Sequence, residues 1–577
     1  MIDLPVRHGR LASQAARRPS LLNSRTLGIF LFVAALSWSL VQAGVFTRDL
    51  VNEGGWVQVT RFLSAAFRPD LSREIINLAI PSLLVTLAYA VAGTAVSLVI
   101  GIVGGILSSE VWWQSVFPQR YDRTRRLQRH MLPWVGIRAL LAVPRAIHEV
   151  IWGLFFLNVL GLDPLVAILA IGIPFGTITA KVYADILDET PRNALHALQN
   201  SGVTPLKAFL YSLLPQALPD LISYGFYRLE CAIRSVAVLG LIGAGGLGFQ
   251  ILLSLQSLKY EQVWTFLYLL ILLSGLTDGW SSLMHRRLST SRYMNSRSTR
   301  NRRATMIGGF MRNSVLALLL LVPWSFWYVQ VDVTTLFAER ATRLFAGVVR
   351  DVFPPNLDPA PLGNLFQLSA QTLCMSILAM TLAGFGGLLL SYPAAANLSL
   401  QGGILGTGST NALRAVMSAV VLLASRGFLL VSRAMSEGIW ALLVLFVLFP
   451  GILPGAIALG MYNLGVVGRL MAEVTENADP RPLVALKGQG ASNAQIFFYG
   501  VLPQTLSKNL AYVLYRWEVC VRATVVVGLV GAGGLGRLLG DQLSSFDYGS
   551  VMTSLLFFIG LTFLVDMISA LARRTLR

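Results

Sequence analysis

Two short stretches of this chain are nearly identical and rich in glycine: LGLIGAGGLG at Leu239–Gly248 and VGLVGAGGLG at Val527–Gly536. Both contain G-x-G-x-x-G, the spacing of a dinucleotide-binding loop, so one hypothesis is an integral membrane oxidoreductase that uses these loops. Such a loop needs a buried strand before it and an acidic residue about 20 residues after it. Here an apolar segment with charged residues precedes each copy, and the following acidic residues keep no common distance. The sequence therefore favours another role for these glycines.

The composition is that of an integral membrane protein. Of 577 residues, 55% are hydrophobic and 13% are charged, and the mean hydropathy is +0.64. Soluble domains carry about 25% charged residues. A net charge of +18 would suggest nucleic acid binding in a soluble chain, but these arginines form blocks beside apolar runs, where they set orientation. The three cysteines lie in apolar segments without metal-ligand spacing, so we expect no metal site.

The sequence also contains an internal duplication, of which the glycine stretches are one part. An offset of 288 residues aligns the halves without a gap from about residue 138 to 248. Coincident residues include Arg145, Glu149, Gly202, Pro215, Arg228, Glu230 and Arg234, which align with Arg433, Glu437, Gly490, Pro503, Arg516, Glu518 and Arg522. Nearer the start of each half the offset becomes 286 and aligns Thr86 with Thr372.

Each half contains six candidate membrane helices, because a span needs about 20 mostly apolar residues. The spans lie near 27–44, 80–108, 138–160, 164–181, 213–242 and 262–284, and near 306–329, 367–391, 414–443, 445–468, 501–530 and 551–572. We therefore expect an all-α integral membrane protein of about 12 transmembrane helices in two six-helix repeats. An even number of spans in each half makes the two repeats parallel.

Basic blocks predict the orientation and the domain boundaries. They are the tail at 1–26, the loop at 118–130, the linker at 285–305 and the final segment 573–577. Six spans per half place all four on one side, which the positive-inside rule assigns to the cytoplasm. We expect a first unit at 27–284 and a second at 306–572, with both termini cytoplasmic.

The loop between the fourth and fifth spans has the same layout in both halves, about 183–213 and 471–501. Each copy predicts a short helix, a glycine that ends it and a Leu-Pro pair where the next span begins. This layout resembles the coupling loop of binding-protein-dependent ABC importer permeases, which reads Glu-Ala-Ala, three residues, Gly, nine residues, an apolar residue, one more residue and then Leu-Pro. Ala197, Gly202 and Pro215, like Ala485, Gly490 and Pro503, keep the spacing of that pattern, whereas its glutamate is replaced by His196 and Val484.

Within these permeases the chain is most similar to the phosphonate and phosphite branch. The resemblance is carried by RAIHEVIWGLFF at 145–156, by the coupling loop and by LLPQALPDLISYGFYRLECAIRSVAVLGLIGAGGLG at 213–248, with their counterparts in the second half. It implies a type I ABC importer permease fold in which one fused chain replaces a permease dimer in a bacterial cytoplasmic (inner) membrane. Two cytoplasmic ATPase subunits would bind ATP and Mg, and an external binding protein would deliver substrate.

The same resemblance implies that this chain is no enzyme and holds no cofactor, and the sequence contains no G-x-x-x-x-G-K-[ST] phosphate loop. An importer of phosphonate, phosphite or a related small oxyanion is the leading hypothesis. The alternatives are an importer of methionine, phosphate or another small solute, the membrane oxidoreductase, and a signalling or scaffold protein.

Charged residues inside predicted spans are candidates for function, because an ionisable group at the bilayer centre costs at least about 2.5–3.5 kcal/mol. Arg145 and Glu149 are four residues apart, which predicts one helix face, and Arg433 and Glu437 repeat this spacing. Further pairs at the same spacing are Glu230 with Arg234 and Glu518 with Arg522. Two arginines, Arg228 and Arg516, then have no partner on their own helix face: they either pair with a glutamate of a neighbouring helix or line the pathway of an oxyanion.

The glycine stretches, finally, are predicted to break the helix and to permit close backbone approach. If the two copies meet near the outer mouth of the pathway, they form a gate there, although plain helix packing is an alternative. The candidate gate residues are Gly243, Gly245, Gly246 and Gly248 with Gly531, Gly533, Gly534 and Gly536.

Overall fold

The computed structural model describes residues 24–47, 49–116, 132–293, 300–352, 354–356, 359–400 and 412–576. Every named element in these residues is a helix, and an isolated bridge between Val51 and Leu448 is the β contact found among them. The all-α prediction is therefore confirmed. Most of the predicted basic tail, the loop at 118–130, part of the linker and Arg577 lie outside the described residues.

The described residues of the first half form twelve α-helices. They are α1 (Ser24–Gln42), α2 (Gly55–Ala65), α3 (Arg73–Ser108), α4 (Glu110–Val116), α5 (Leu132–Ala146), α6 (Glu149–Leu160), α7 (Pro164–Glu189), α8 (Asn193–Asn200), α9 (Pro205–Ala208), α10 (Leu214–Gly240), α11 (Gly246–Gln256) and α12 (Tyr260–Tyr293).

The second half repeats this order, so each helix has its counterpart twelve places later. These helices are α13 (Arg300–Tyr328), α14 (Glu339–Val352), α15 (Pro359–Ala394), α16 (Ala396–Ser399), α17 (Ala412–Ala434), α18 (Glu437–Val447), α19 (Ile452–Glu476), α20 (Pro480–Gly488), α21 (Asn493–Ile496), α22 (Leu502–Val527), α23 (Gly534–Ser544) and α24 (Tyr548–Leu576). The duplication predicted from the sequence is thus a duplication of structure.

Each of the twelve predicted spans coincides with a helix or with a bent pair of helices. Among the described residues, seven helices are long and apolar enough to cross a membrane, or up to nine if each bent pair is one span. Helix α10 is not one of the seven, and it carries Asp220, Arg228, Glu230 and Arg234 within its length. The total of twelve spans, their orientation and the unit boundaries remain predictions.

Small residues hold the long helices α3 and α7 together. A Cβ on Gly93 would lie 3.0 Å from Ile171, and one on Gly105 would lie 2.7 Å from Tyr183. In the second half, Gly387 faces Gly468 of α19 in the same way. Close approach through small residues is how membrane helices gain packing energy, since lipid is as apolar as their side chains.

The two halves interlock through short helices that leave the main bundle. Helix α2 of the first half packs on α18 of the second, and α14 of the second half packs on α6 of the first. The second contact includes Phe155 against Phe345, with ring centroids 6.4 Å apart. Asn158 donates a hydrogen bond of 2.8 Å to the carbonyl of Leu543 across the same interface. Residues at the contact between the halves are therefore placed by both copies of the repeat.

Candidate functional site

The third predicted span of the first half is broken in its middle. Helix α5 ends at Ala146, α6 begins at Glu149, and the two axes differ by 84°. The break occurs at His148, whose backbone is extended and whose Nδ1 accepts a hydrogen bond of 3.3 Å from the amide of Val150. The prediction that Arg145 and Glu149 share one helix face was therefore wrong, because it assumed a continuous helix.

The second half has the same break, so the matching prediction for Arg433 and Glu437 was wrong for the same reason. Helix α17 ends at Ala434 and α18 begins at Glu437, with Ser436 in an extended conformation between them. In both halves the arginine lies in the last helical turn and the glutamate in the first turn of the next helix. A cation at a helix C-terminus and an anion at an N-terminus are both favoured by the helix dipole.

From this break Arg433 reaches into the first half and joins a charge network, which we call network A. Its Nη2 is 2.6 Å from Asp278 Oδ2, and its Nη1 is 3.6 Å from Glu230 Oε1. Arg469 of α19 contacts the same Asp278 oxygen at 2.5 Å. Arg234 lies 3.4 Å from Glu230, so the predicted pairing of these two residues is confirmed. Network A thus binds α17 and α19 to α10 and α12 of the other half.

The equivalent residues form a different arrangement, network B. Arg145 interacts electrostatically with Asp566 and Arg522, as the repeat requires. However, Oδ1 of Asp566 is buried and has no hydrogen-bond partner among the described residues. Glu518 is paired with Arg573 of α24 at 2.5 Å, so the predicted pairing of Glu518 with Arg522 was wrong. Arg573, near the end of the last helix, therefore pairs with the Glu518 carboxylate that the four-residue spacing had assigned to Arg522.

Two glutamates meet at the helix breaks across the contact between the halves. His148 Nδ1 is 3.4 Å from Glu149 Oε2, and its Nε2 is 4.0 Å from Glu437 Oε1. Ser235 of α10 donates a hydrogen bond of 2.7 Å to Glu149. His148 is 8% exposed and Glu437 is 6% exposed, so this cluster is buried at the centre of the bundle.

The two arginines without a partner on their own helix have different surroundings. The Arg228 guanidinium lies 3.7 Å from the ring centre of Phe175, and its Nε and Nη2 have no hydrogen-bond partner among the described residues. In Arg516 the same two nitrogens donate to Asn463 Oδ1 at 3.1 and 2.7 Å. In the described part of the chain, neither arginine lies within 4.0 Å of a carboxylate oxygen. That they line a pathway stays a prediction.

Each glycine stretch ends one helix and starts the next, as predicted. The backbone takes the left-handed region, which favours glycine, at six of the eight candidate positions, namely Gly243, Gly245, Gly246, Gly531, Gly533 and Gly534. The other two, Gly248 and Gly536, are sites of close approach, where a Cβ would overlap the backbone of α10 or α22. The gate role of all eight glycines stays a prediction.

A threonine anchors each of the helices that follow the glycines. Thr86 Oγ1 accepts a hydrogen bond of 2.9 Å from the amide of Leu247, and Thr372 Oγ1 accepts one of 3.0 Å from Leu535. Each threonine lies on a long helix, α3 or α15, and satisfies an amide that the start of a helix leaves without a partner. A helix rather than a strand precedes both stretches, so nothing supports the dinucleotide-binding alternative.

The coupling loops have the predicted layout. Helix α8 buries Leu195 and exposes His196 and Ala197, and Gly202 follows it with a φ of 82°. In the second half, α20 exposes Val484 and Ala485, and Gly490 also has a φ of 82°. His196 and Val484, which replace the glutamate of the family pattern, therefore lie on exposed faces of their helices.

Pro215 and Pro503 lie in the first turns of α10 and α22, as predicted. A π-helical turn precedes each of them, at Phe209–Leu213 and Phe497–Val501. The wider turn fits a proline, which has no amide to donate and whose ring clashes with the carbonyl four residues earlier.

An apolar groove lies beside α20. Its volume is about 500 Å³, and it is lined by Pro482, Ala485, Leu486, Gln489, Tyr499, Gly500, Pro503 and Gln504. Tyr499 is 77% exposed, and its equivalent Tyr211 is 78% exposed. Exposed aromatic side chains on the coupling elements of both halves are typical of a protein interaction surface.

Several functional candidates were missed from the sequence. Asp278 and Asp566 share the 288-residue offset within the sixth predicted spans, and Lys181 shares it with Arg469. Searching the aligned halves for every charge within or directly beside a span would have found all four residues. Elsewhere, no group of three or more His, Cys, Asp or Glu within the described ranges could hold a metal ion.

Comparison with known proteins gives the family. The phosphate-import permease protein PhnE of Mycolicibacterium smegmatis is 27% identical over 77% of this chain and 78% of its own length. The phosphite transport system permease protein PtxC of Stutzerimonas stutzeri is 31% identical over 43% of this chain and 83% of its own. The putative cryptic phosphonate transport system permease protein PhnE2 of Escherichia coli is 34% identical over 20% and 97%.

The family of binding-protein-dependent transport system inner membrane components matches residues 125–290 and 387–577, one segment in each half. These segments contain both coupling loops, both charge networks and both glycine stretches. The chain therefore belongs to this family, as a permease component of an ABC importer that carries the family domain twice.

Proposed function

We propose that this chain forms both permease halves of an ATP-driven importer for a small phosphorus oxyanion, of the phosphate, phosphite or phosphonate class. The curated relatives described above bear names of this substrate class. The structural observation that carries the proposal is Arg228, a buried guanidinium with open donors near the contact between the halves. Arginine presents a planar fork of donors that matches an oxyanion with two parallel hydrogen bonds.

Charged side chains of both signs gather in this central region. Arg228, Arg234 and Arg516 all lie close enough to Tyr227 to interact with it electrostatically. Three glutamates balance these arginines: Glu230 pairs with Arg234, and His148 lies between Glu149 and Glu437. Charge that is buried at such a cost in a membrane usually marks the route of an ion or substrate.

The partners follow from the family. Two cytoplasmic ATPase subunits would bind ATP and Mg, hydrolyse ATP and dock on α8 and α20. An external binding protein would deliver the anion on the opposite side, beside the glycine stretches. Both termini would then be cytoplasmic in an inner membrane, and the fused chain would take the place of a permease dimer. Exposed Tyr211 and Tyr499 support docking at the coupling loops.

The test is ATPase stimulation in vesicles. The chain is co-expressed with a P-loop ATPase and a secreted binding protein from the same organism, purified as a complex and reconstituted. The binding protein is first screened against phosphate, phosphite, methylphosphonate, 2-aminoethylphosphonate and methionine. We expect one phosphorus oxyanion to bind and the loaded binding protein to stimulate ATP hydrolysis. Stimulation by methionine alone would move the function to another substrate class. A preparation without partners that reduces a nicotinamide cofactor would refute transport.

A further inference from the structure

The two pathway arginines are equivalent by sequence but are not equivalent in structure. Arg228 and Arg516 are related by the 288-residue offset, and so are their neighbours Phe175 and Asn463. The first neighbour is a ring that stacks on the guanidinium, and the second is an amide that hydrogen-bonds it. The contrast lies in one pair of side chains on α7 and α19.

The edge of the guanidinium formed by Nε and Nη2 is one of two edges that can bind an anion through two parallel hydrogen bonds. In Arg516 this edge is occupied, because both nitrogens donate to Asn463 Oδ1. The Asn463 amide is itself fixed, since its Nδ2 donates to the carbonyl of Leu459 at 2.8 Å. A ligand at Arg516 would first have to displace a buried, oriented carbonyl oxygen.

In Arg228 the same edge is open. Its side chain is 6% exposed, and both nitrogens of the edge have no hydrogen-bond partner among the described residues. Phe175 covers the face of the guanidinium and offers no acceptor. A buried donor without a partner costs about 1–3 kcal/mol, and more when it is charged, so such a group calls for an explanation. An anion that arrives during transport provides one.

We infer that the membrane pathway contains one asymmetric oxyanion site, in which Arg228 binds the anion while Asn463 keeps Arg516 occupied. The inference rests on the proposed function and refines it. The Phe175 and Asn463 positions decide which half binds substrate. Tyr224 and Tyr227 lie near enough to Arg228 to interact with it electrostatically.

The experiment compares matched variants in the full complex. Arg228→Gln should lower ATP-dependent uptake about tenfold or more, because it removes a charged hydrogen bond to the anion. Arg516→Gln should change uptake less than about threefold. Arg228→Lys keeps the charge without the fork and should remain impaired. Phe175→Asn leaves the arginine in place but supplies an acceptor, so uptake should fall as in Arg228→Gln.

A second substitution that restores uptake is the most specific test of the inference. In the Arg228→Gln background, Asn463→Phe should free the Arg516 edge and restore at least about a third of the lost uptake, since the open fork is recreated in the other half. Uptake is measured with labelled phosphate, phosphite and methylphosphonate, alongside membrane level and complex assembly. Thermal stabilisation of the purified complex by the same three anions gives a second readout.

The outcomes separate the inference from the function. Wild-type uptake with equal losses in Arg228→Gln and Arg516→Gln overturns the asymmetric site and leaves the importer proposal standing. Lost assembly in Arg228→Gln together with normal uptake in Phe175→Asn also overturns it, because the arginine would then be structural. A wild-type complex that transports none of the three anions refutes the proposed function and the inference together.

Discussion

Asp278 holds network A together, and its removal should loosen the contact between the halves. One of its oxygens accepts from Arg433 at 2.6 Å and from Arg469 at 2.5 Å. Asp278→Asn keeps the shape and one carbonyl acceptor but removes the charge between two arginines. Each charged hydrogen bond contributes about 1.5–3 kcal/mol, and breaking a buried pair costs about 3–5 kcal/mol.

The expected loss is smaller than that sum. Arg433 retains Glu230 at 3.6 Å, and Arg469 retains Glu473 at 2.9 Å. Arg469 is also 30% exposed on its side chain, so water replaces part of its lost partner. We therefore expect Asp278→Asn to lower stability by about 2–4 kcal/mol, which for a chain of this size is a fall of roughly 2–4 °C in the thermal midpoint.

Asp566→Asn is the matched control, because the repeat places it at the equivalent position of network B. Its buried Oδ1 has no hydrogen-bond partner in the described part of the chain, so a neutral amide there loses only the electrostatic interaction with Arg522 and Arg145 and should cost less than Asp278→Asn does. The assay is thermal unfolding of the purified complex in detergent, with the membrane level of each variant beside it. Equal shifts for the two variants, or a larger shift for Asp566→Asn, would refute the reasoning about network A.

Four backbone contacts supply the other predictions. Thr86→Val and Thr372→Val each remove the acceptor of a buried amide and should lower the stability measured by thermal unfolding by about 1–2 kcal/mol. Serine at either position keeps the acceptor and should leave stability unchanged. Valine variants of unchanged stability would contradict the anchoring role of the threonines. Gly248→Ala forces a methyl group onto the backbone of α10 and should cost about 1–3 kcal/mol or prevent assembly, so an unchanged thermal midpoint contradicts close approach. Gly55→Ala meets the backbone of α18 and should destabilise the contact between the halves, while Gly54→Ala has room and should not, as thermal unfolding of the two variants will show.

The repeat and the helices could be predicted from the sequence because they depend on local signals. Apolar runs of membrane length and an offset of 286 to 288 residues between the halves located every long helix. The glycine stretches broke their helices where expected. Local spacing also paired Glu230 with Arg234 correctly, since α10 is continuous between them.

The partners of the other charged residues could not be predicted from local sequence spacing. Spacing of four residues implies one face only within a continuous helix, and the breaks at His148 and Ser436 place Arg145 and Arg433 on different helices from their expected partners. Arg433 finds its partner in the opposite half, and which helices adjoin there is decided by packing of the whole bundle. The different states of Arg228 and Arg516 likewise depend on one neighbour from another helix.

The central claim is that one chain supplies the whole membrane pathway of an oxyanion importer. ATP-dependent uptake of labelled phosphite, phosphate and methylphosphonate into proteoliposomes tests it most directly, with one purified complex of this chain, its ATPase and its binding protein. We predict uptake of at least one of these anions. This uptake should require ATP on the side of the membrane where the ATPase binds and the loaded binding protein on the opposite side. Uptake without ATP, or none of any of the three anions by a complex that hydrolyses ATP in response to another solute, would contradict the account.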